Sequence, residues 1–279
     1  MSHPPQEKDL LFSSIWREEA EADDPFSAKT CFCHGYDVYG DLLGKASWSE
    51  YLYLLFRGDR PTDSQSRLIA NLAVSLAHPG PRDPSIRAAM NAGVGGSSSA
   101  SCLMAALAVG AGNLAGGREI YQAVTAWQQL GTEMDLWRSF LLKPATQGRV
   151  DVWEPMEHPP GFAAYGIRCA EPVIQMLHHV EIWSDGPALP WLRANRLTLE
   201  TIAERPLAIS GVAAAAFYDL GFNQDQAELA YLLLRLPGAA VHALEQRRDG
   251  WRKYPYFHDK LELTDDPGKS AEKQEVTGR

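Results

Sequence analysis

The sequence predicts an all-α protein, and three observations predict it. Helix-start signals recur along the chain, each followed by apolar residues three and four positions apart. No convincing run alternates polar and apolar residues, so strands are expected to be few. A stretch of small apolar residues over 206–216 suits helices that approach one another closely.

The elements follow in order. Ser47-Trp48-Ser49-Glu50 is a capping box: the Ser47 hydroxyl accepts from an exposed backbone N–H, and Glu50 reaches back. Tyr51, Leu52, Leu55 and Phe56 then recur at helical spacing until Gly58 and Pro61 stop the helix. Thr62 to Gln65 starts a second helix, carrying Leu68, Ile69, Leu72 and Leu76. A third is expected after the Gly/Ser-rich loop at 93–99, and a fourth from about Arg118 with Ile120, Val124, Trp127 and Leu130 on one face. The stretch 145–163, rich in Pro and Gly, reads as loop; later helices are expected at 170–183, 197–204, 207–220, 224–235 and 238–249. Residues 1–8 and 263–279 are polar or charged and are expected to be disordered.

Composition narrows the function. The chain has 279 residues, 45% of them hydrophobic, and a formal net charge of −9. Clustered Lys and Arg are missing, which argues against nucleic acid, because neutralising phosphates needs such clusters. No apolar run is long enough to span a bilayer, no signal peptide opens the chain, and its 4 cysteines make no disulfide framework; a cytoplasmic setting is expected. Cys31-Phe32-Cys33-His34 is too tightly spaced for a tetrahedral zinc site and lacks a second cluster, so no metal is expected. His178 and His179 are helical neighbours that point apart.

A few residues ask for a reason. Arg235 lies among Leu232, Leu233, Leu234 and Leu236. A guanidinium there is costly unless it meets an anion, and its fork suits a carboxylate. It either binds a ligand, pairs with a structural Asp or Glu, or lies on the outer face of its helix. His242, seven residues on, reads as structural. Ser210 is the polar side chain of the small-residue stretch, and bonding back to its own helix is the simplest expectation. The glycine-rich loop at 93–99 either aims backbone N–H groups at an anion or serves as a connector.

Five segments in order resemble the citrate-synthase superfamily, specifically its citryl-CoA lyase and ATP-citrate lyase C-terminal branch. Gly35 to Leu43 and then Tyr51 to Gly58 are similar to "RGY.I..L" followed by "yLLl.G". Ala108 to Gly117 is similar to "GPLHGG", Pro160 to Tyr165 with Glu171-Pro172 to "GFGH…DPR", Leu207 to Gly211 to "lNVDG", and Arg235 to Gln246 to "R..G..gH.lEQ". The resemblance implies a citrate-synthase-like fold and a homodimer. It divides the chain into a large helical domain (9–117 and 206–262) and a small inserted domain (118–205). It also implies chemistry on the carbon–carbon bond between an acyl-CoA and a keto acid, with a coenzyme A thioester as substrate and no tightly bound cofactor.

Carried across by position, the family's acid–base side chains are missing. Its two histidines fall on Ala115 and Ala164, its aspartate base on Ser210, and an arginine on Val173. The binding residues are better kept. Arg235 matches a carboxylate-binding arginine. His78 aligns with a substrate-contacting histidine, or is a surface-loop residue. Arg252 or Lys253 stands for an arginine reaching into the partner subunit. Losing one positioned acid or base typically costs about 10²–10⁴ in rate. Three readings result: an enzyme with a relocated base, for which His158 and Glu157 are nearest in sequence; a catalytically silent paralogue that binds a carboxylate or acyl-CoA as a sensor or regulatory subunit; or a structural partner subunit.

Overall fold

A computed structural model of the chain describes residues 12–142 and 158–254. The tails expected at 1–8 and 263–279, and Glu157, lie outside the described residues. The described residues open with a small antiparallel meander: β1 (Trp16–Ala20) pairs with β2 (Ala28–Cys33), which pairs with β3 (Tyr36–Asp37). Cys31 and Cys33 are two positions apart on β2 and therefore share a face. His34 and Gly35, both at positive φ, make the turn that follows (48° and 87°). Cys33 is buried against Leu42 and Leu54, so this segment is a hairpin corner rather than a chelate.

Ten α-helices follow among the described residues: α1 (Trp48–Arg57), α2 (Asp63–Leu76), α3 (Pro84–Val94), α4 (Ser99–Gly110), α5 (Gly117–Leu130), α6 (Met134–Leu142), α7 (Glu171–Glu181), α8 (Ala188–Ala203), α9 (Ile209–Asp219) and α10 (Gln224–Asp249). The expected capping box at Ser47 forms, and the expected start at Thr62 is a second one. Glu50 N–H donates to Ser47 Oγ at 3.3 Å while Ser47 N–H donates to Glu50 Oε2 at 2.6 Å, and Thr62 and Gln65 do the same for α2.

Several boundaries differ from expectation. Gly93 and Val94 end α3 rather than opening a loop, because Asp83 caps and Pro84 starts a helix that the glycine-rich reading obscured. Helix α6 was not anticipated, and α8 starts at Ala188 instead of 197. Helix α10 runs unbroken through Pro237. Proline lacks an N–H, and the next N–H, that of Gly238, leaves the helix to donate to Ala77 O at 2.8 Å, just beyond the end of α2. A Cβ on Gly238 would sit 2.5 Å from that oxygen, so the close approach needs glycine.

The main apolar cluster draws on α1, α2, α5–α10 and the 207 loop, so helices on both sides of the expected domain division share one core. Its centre is α9, where Val212 to Phe217 are all fully buried. A helix apolar all round belongs in an interior, and its small side chains let α5 and α8 pack closely on it. Trp127 anchors the other side, with its ring 4.7 Å from Trp137 and 5.8 Å from Trp191. A second cluster joins α3, α4 and α10. Among the described residues no helix is long and apolar enough to cross a membrane.

Candidate functional site

The site begins with the turn between α4 and α5. Ala115 there takes a left-handed conformation, φ 52°, which costs energy for any residue with a Cβ and persists when surroundings hold it. Both faces of its backbone are held. Its N–H donates to Glu119 Oε2 at 2.6 Å. Its carbonyl accepts from Tyr231 Oη at 3.1 Å and from Arg235 Nη1 at 2.6 Å. The methyl side chain is left exposed.

Glu119, in the first turn of α5, is 1% exposed. Besides Ala115 N–H, it accepts from Gly161 N–H at 3.0 Å and from Ser210 Oγ at 2.6 Å. His158 Nε2 lies 4.0 Å from its Oε2, and His158 is itself buried. Ser210 therefore does not bond back to α9, as expected, but reaches across to α5. The outcome follows from its place in the first turn of α9, where a buried carboxylate lies within reach. Gly161 touches Gly211 closely, with a Cβ on Gly161 only 2.9 Å from Gly211 Cα. The segment after it pairs with the 206–208 strand-like stretch through Phe162 and Leu207. Three backbone segments, around 115, 161 and 210, thus meet at one carboxylate.

Arg235, on α10, is 7% exposed. Its Nη2 donates to Asp83 Oδ2, and its Nη1 donates to Tyr231 Oη and the Ala115 carbonyl. Its Nε is buried without a hydrogen-bond partner. Burial pushes the Tyr231 hydroxyl up to about 12, despite the opposing Arg235 charge, so it stays a neutral phenol. Of the readings left open for Arg235, pairing with a chain carboxylate is what the structure shows.

His78 and His242 form a separate pair, Nε2 to Nε2 3.0 Å, with Glu245 Oε2 3.1 Å from His242 Nδ1. Gly238's bond to Ala77 brings them together. Arg252 lies in the short turn Trp251–Lys253, with its guanidinium over the Trp251 ring at 5.0 Å. Ala164 contributes its carbonyl to Arg205 Nη1 at 3.2 Å. Val173 packs in the main core. Among the described residues no group of three or more His, Cys, Asp or Glu is arranged to hold a metal ion.

No family sequence model and no curated protein sequence matches the chain. Solved structures do. The citryl-CoA lyase from Hydrogenobacter thermophilus superposes with a TM-score of 0.72 at 20% identity, covering 92% of this chain and 96% of that one. The ATP citrate lyase from Methanothrix soehngenii, solved with citrate and coenzyme A, gives 0.70 at 17% identity over 95% of this chain but 43% of its own. This chain has the citrate-synthase-superfamily fold. A citrate synthase from Thermoplasma acidophilum, in complex with carboxymethyl coenzyme A and oxaloacetate, superposes with a TM-score of 0.53 at 15% identity, over 79% of this chain and 58% of that one.

In this citrate-synthase-fold protein, Ala115 and Ser210 come together at Glu119, and Arg235 joins them through the Ala115 carbonyl. Ala164 lies three residues from Gly161, on the same rim. His78 and Arg252 are tied instead to His242 and Trp251. Glu119, Asp83 and Tyr231 escaped the sequence reading, although each had a signal. Glu119 shares the buried stripe of α5 with Ala123, Ala126 and Trp127, where a charge is out of place. Asp83 precedes Pro84, a helix-start pattern. Tyr231 lies one helical turn before Arg235.

Proposed function

We propose that this protein binds a carboxylate metabolite or its coenzyme A thioester in the manner of the citryl-CoA lyase branch, as a catalytically silent sensor or regulatory subunit. The observation that carries the reading is the state of Glu119. The two positions where the family places an acid–base histidine and aspartate hold Ala115 and Ser210, and both donate to this one buried carboxylate. With Gly161 N–H it receives three donors, and it faces no solvent. Taking a proton from a thioester α-carbon requires a base exposed beside that carbon, whereas Glu119 is buried and committed to three donors from its own chain. Arg235 supports retained binding: it is buried beside Ala115, and its fork matches a carboxylate.

A second reading keeps catalysis, with His158 as a relocated base. Its place beside Glu119, 4.0 Å away, favours it. A discontinuous assay for acetyl-CoA release from citryl-CoA separates the two. Silence is expected; turnover that disappears in His158→Gln would establish the second reading. Thermal unfolding with citrate, oxaloacetate, acetyl-CoA or coenzyme A tests binding itself. A ligand at 100 times its dissociation constant adds about 2.7 kcal/mol. No shift with any of the four would overturn the binding reading and leave a structural partner subunit.

The same proposal includes a homodimer, the division into lobes at 118 and 205, and a reducing cytoplasmic setting in keeping with four free cysteines. The dimer is supported by α4 and α10, which expose Met104, Val109, Leu229, Leu233, Val241 and Leu244 on adjacent helices. Light scattering that returns one chain mass at micromolar concentration argues against it.

A further inference from the structure

Arg235 is the group on which the binding reading rests, and the chain's own Asp83 already occupies it. The two side chains are 8% and 10% exposed. Asp83 serves two masters. Its Oδ1 caps α3, accepting from Ser85 N–H at 2.9 Å, from Ile86 N–H at 3.4 Å and from Ser85 Oγ. Only Oδ2 is left for Arg235, and it meets Nη2. A guanidinium grips a carboxylate best with two parallel donors on two oxygens. Here the side of the fork formed by Nε and Nη2 is half used, and Nε stays buried without a partner. A buried donor left unsatisfied is destabilising.

We propose that Asp83 is an internal stand-in for a ligand carboxylate, and that the site loads by exchange. An entering carboxylate takes Nη2 and Nε together, and Asp83 gives up Arg235 while it keeps the α3 cap. The seat is never empty of negative charge, so the buried arginine is never left as an uncompensated charge, a strongly unfavourable state. Competition with the built-in anion lowers ligand affinity, and it excludes neutral compounds, which cannot displace it. Asp83 caps α3, which packs on the buried faces of α4 and α10, so the exchange takes place where these three helices meet. This inference rests on the binding reading and concerns how that same arginine is controlled.

Asp83→Asn tests it. Asparagine caps helices about as well as aspartate, so α3 keeps its start while the competing charge is lost. Citrate, oxaloacetate and acetate are titrated by calorimetry and thermal shift into the wild type, Asp83→Asn, Asp83→Glu, and Asp83→Asn combined with Arg235→Gln. The expected result is at least tenfold tighter carboxylate binding in Asp83→Asn, near wild-type affinity in Asp83→Glu, and loss of the gain in the double variant. Equal affinity of wild type and Asp83→Asn, still dependent on Arg235, overturns the exchange and leaves the binding reading intact. No response to any carboxylate in either protein overturns both. If Asp83→Asn does not fold alone, sodium acetate restoring its native circular dichroism where equal sodium chloride does not supports the exchange; no recovery overturns it.

Discussion

Replacing Glu119 by alanine tests whether one carboxylate holds the site together. The substitution removes the acceptor for Ala115 N–H, Gly161 N–H and Ser210 Oγ. Ala115 is exposed, so water can satisfy its N–H at small cost. Gly161 and Ser210 are buried, and each orphaned donor costs about 1–3 kcal/mol, giving about 2–6 kcal/mol in all. Glu119→Gln keeps one carbonyl oxygen, which can still accept from Gly161 and Ser210, while its amide turns toward Ala115 N–H. Its cost should be smaller, about 1–3 kcal/mol. Ser210→Ala removes a donor and leaves the carboxylate two partners, at about 1–3 kcal/mol for a bond to a charged group. The assay is urea unfolding by circular dichroism, with the midpoint and slope fitted together. In the double variant Glu119→Ala, Ser210→Ala the serine change should cost almost nothing further, because its partner is gone. If Glu119→Ala costs less than about 1 kcal/mol at unchanged slope, or if the two substitutions simply add, the clamp is refuted.

Ser210→Asp, which supplies the carboxylate that the resemblance implies at this position, should fail by itself. It sets a second carboxylate against Glu119, and two like charges about 4 Å apart repel by about 4 kcal/mol at an effective dielectric of 20. Urea midpoints should show a loss of that order, recovered in part by adding Glu119→Gln; a stable, active single variant would contradict the geometry. Asp219 gives a pH prediction. Burial holds its carboxyl above its ordinary 3.8, outweighing donors from Ser184, Leu189 and Ala188. The folded state therefore takes up a proton before the unfolded state does, so this group's contribution to stability rises as pH falls through the folded value and levels off below 3.8. Against Asp219→Asn, the wild-type urea midpoint should gain toward acid; a relative loss would refute the assignment. Cys169 is pushed up to about 11, first by burial and then by Glu200. Roughly one molecule in 10⁴ then carries the thiolate at pH 7, so iodoacetamide should label it very slowly there and about tenfold faster per pH unit above. Rapid labelling at neutral pH, read by mass spectrometry, would contradict this.

Much of the helical plan was legible because its signals are local. A capping box and a 3.6-residue apolar period are written in consecutive residues, and α1, α2 and α5 fell where these signs put them. Helices α3 and α6 and the early start of α8 were not read. Gly93 looked like loop material, and α3 tolerates it because a side chain there would strike the Ala243 carbonyl of α10 at 2.6 Å. That reason exists only once the two helices are packed. The unbroken course of α10 through Pro237 likewise depends on Ala77 receiving the Gly238 N–H.

The site divides the same way. Sequence by itself established that Ala115 and Ala164 carry no group able to move a proton, wherever they are placed. It also singled out Arg235 among its leucines, leaving a ligand, a chain carboxylate or an outer-face position as its alternatives. Which anion it finds, and that Ser210 turns away from its own helix toward Glu119, were decided only by the tertiary structure. Glu119 lies 91 residues from Ser210 and Asp83 lies 152 residues from Arg235. Hydrogen bonds and ion pairs act over a few ångströms of space, and chain order carries no record of those distances until the helices pack.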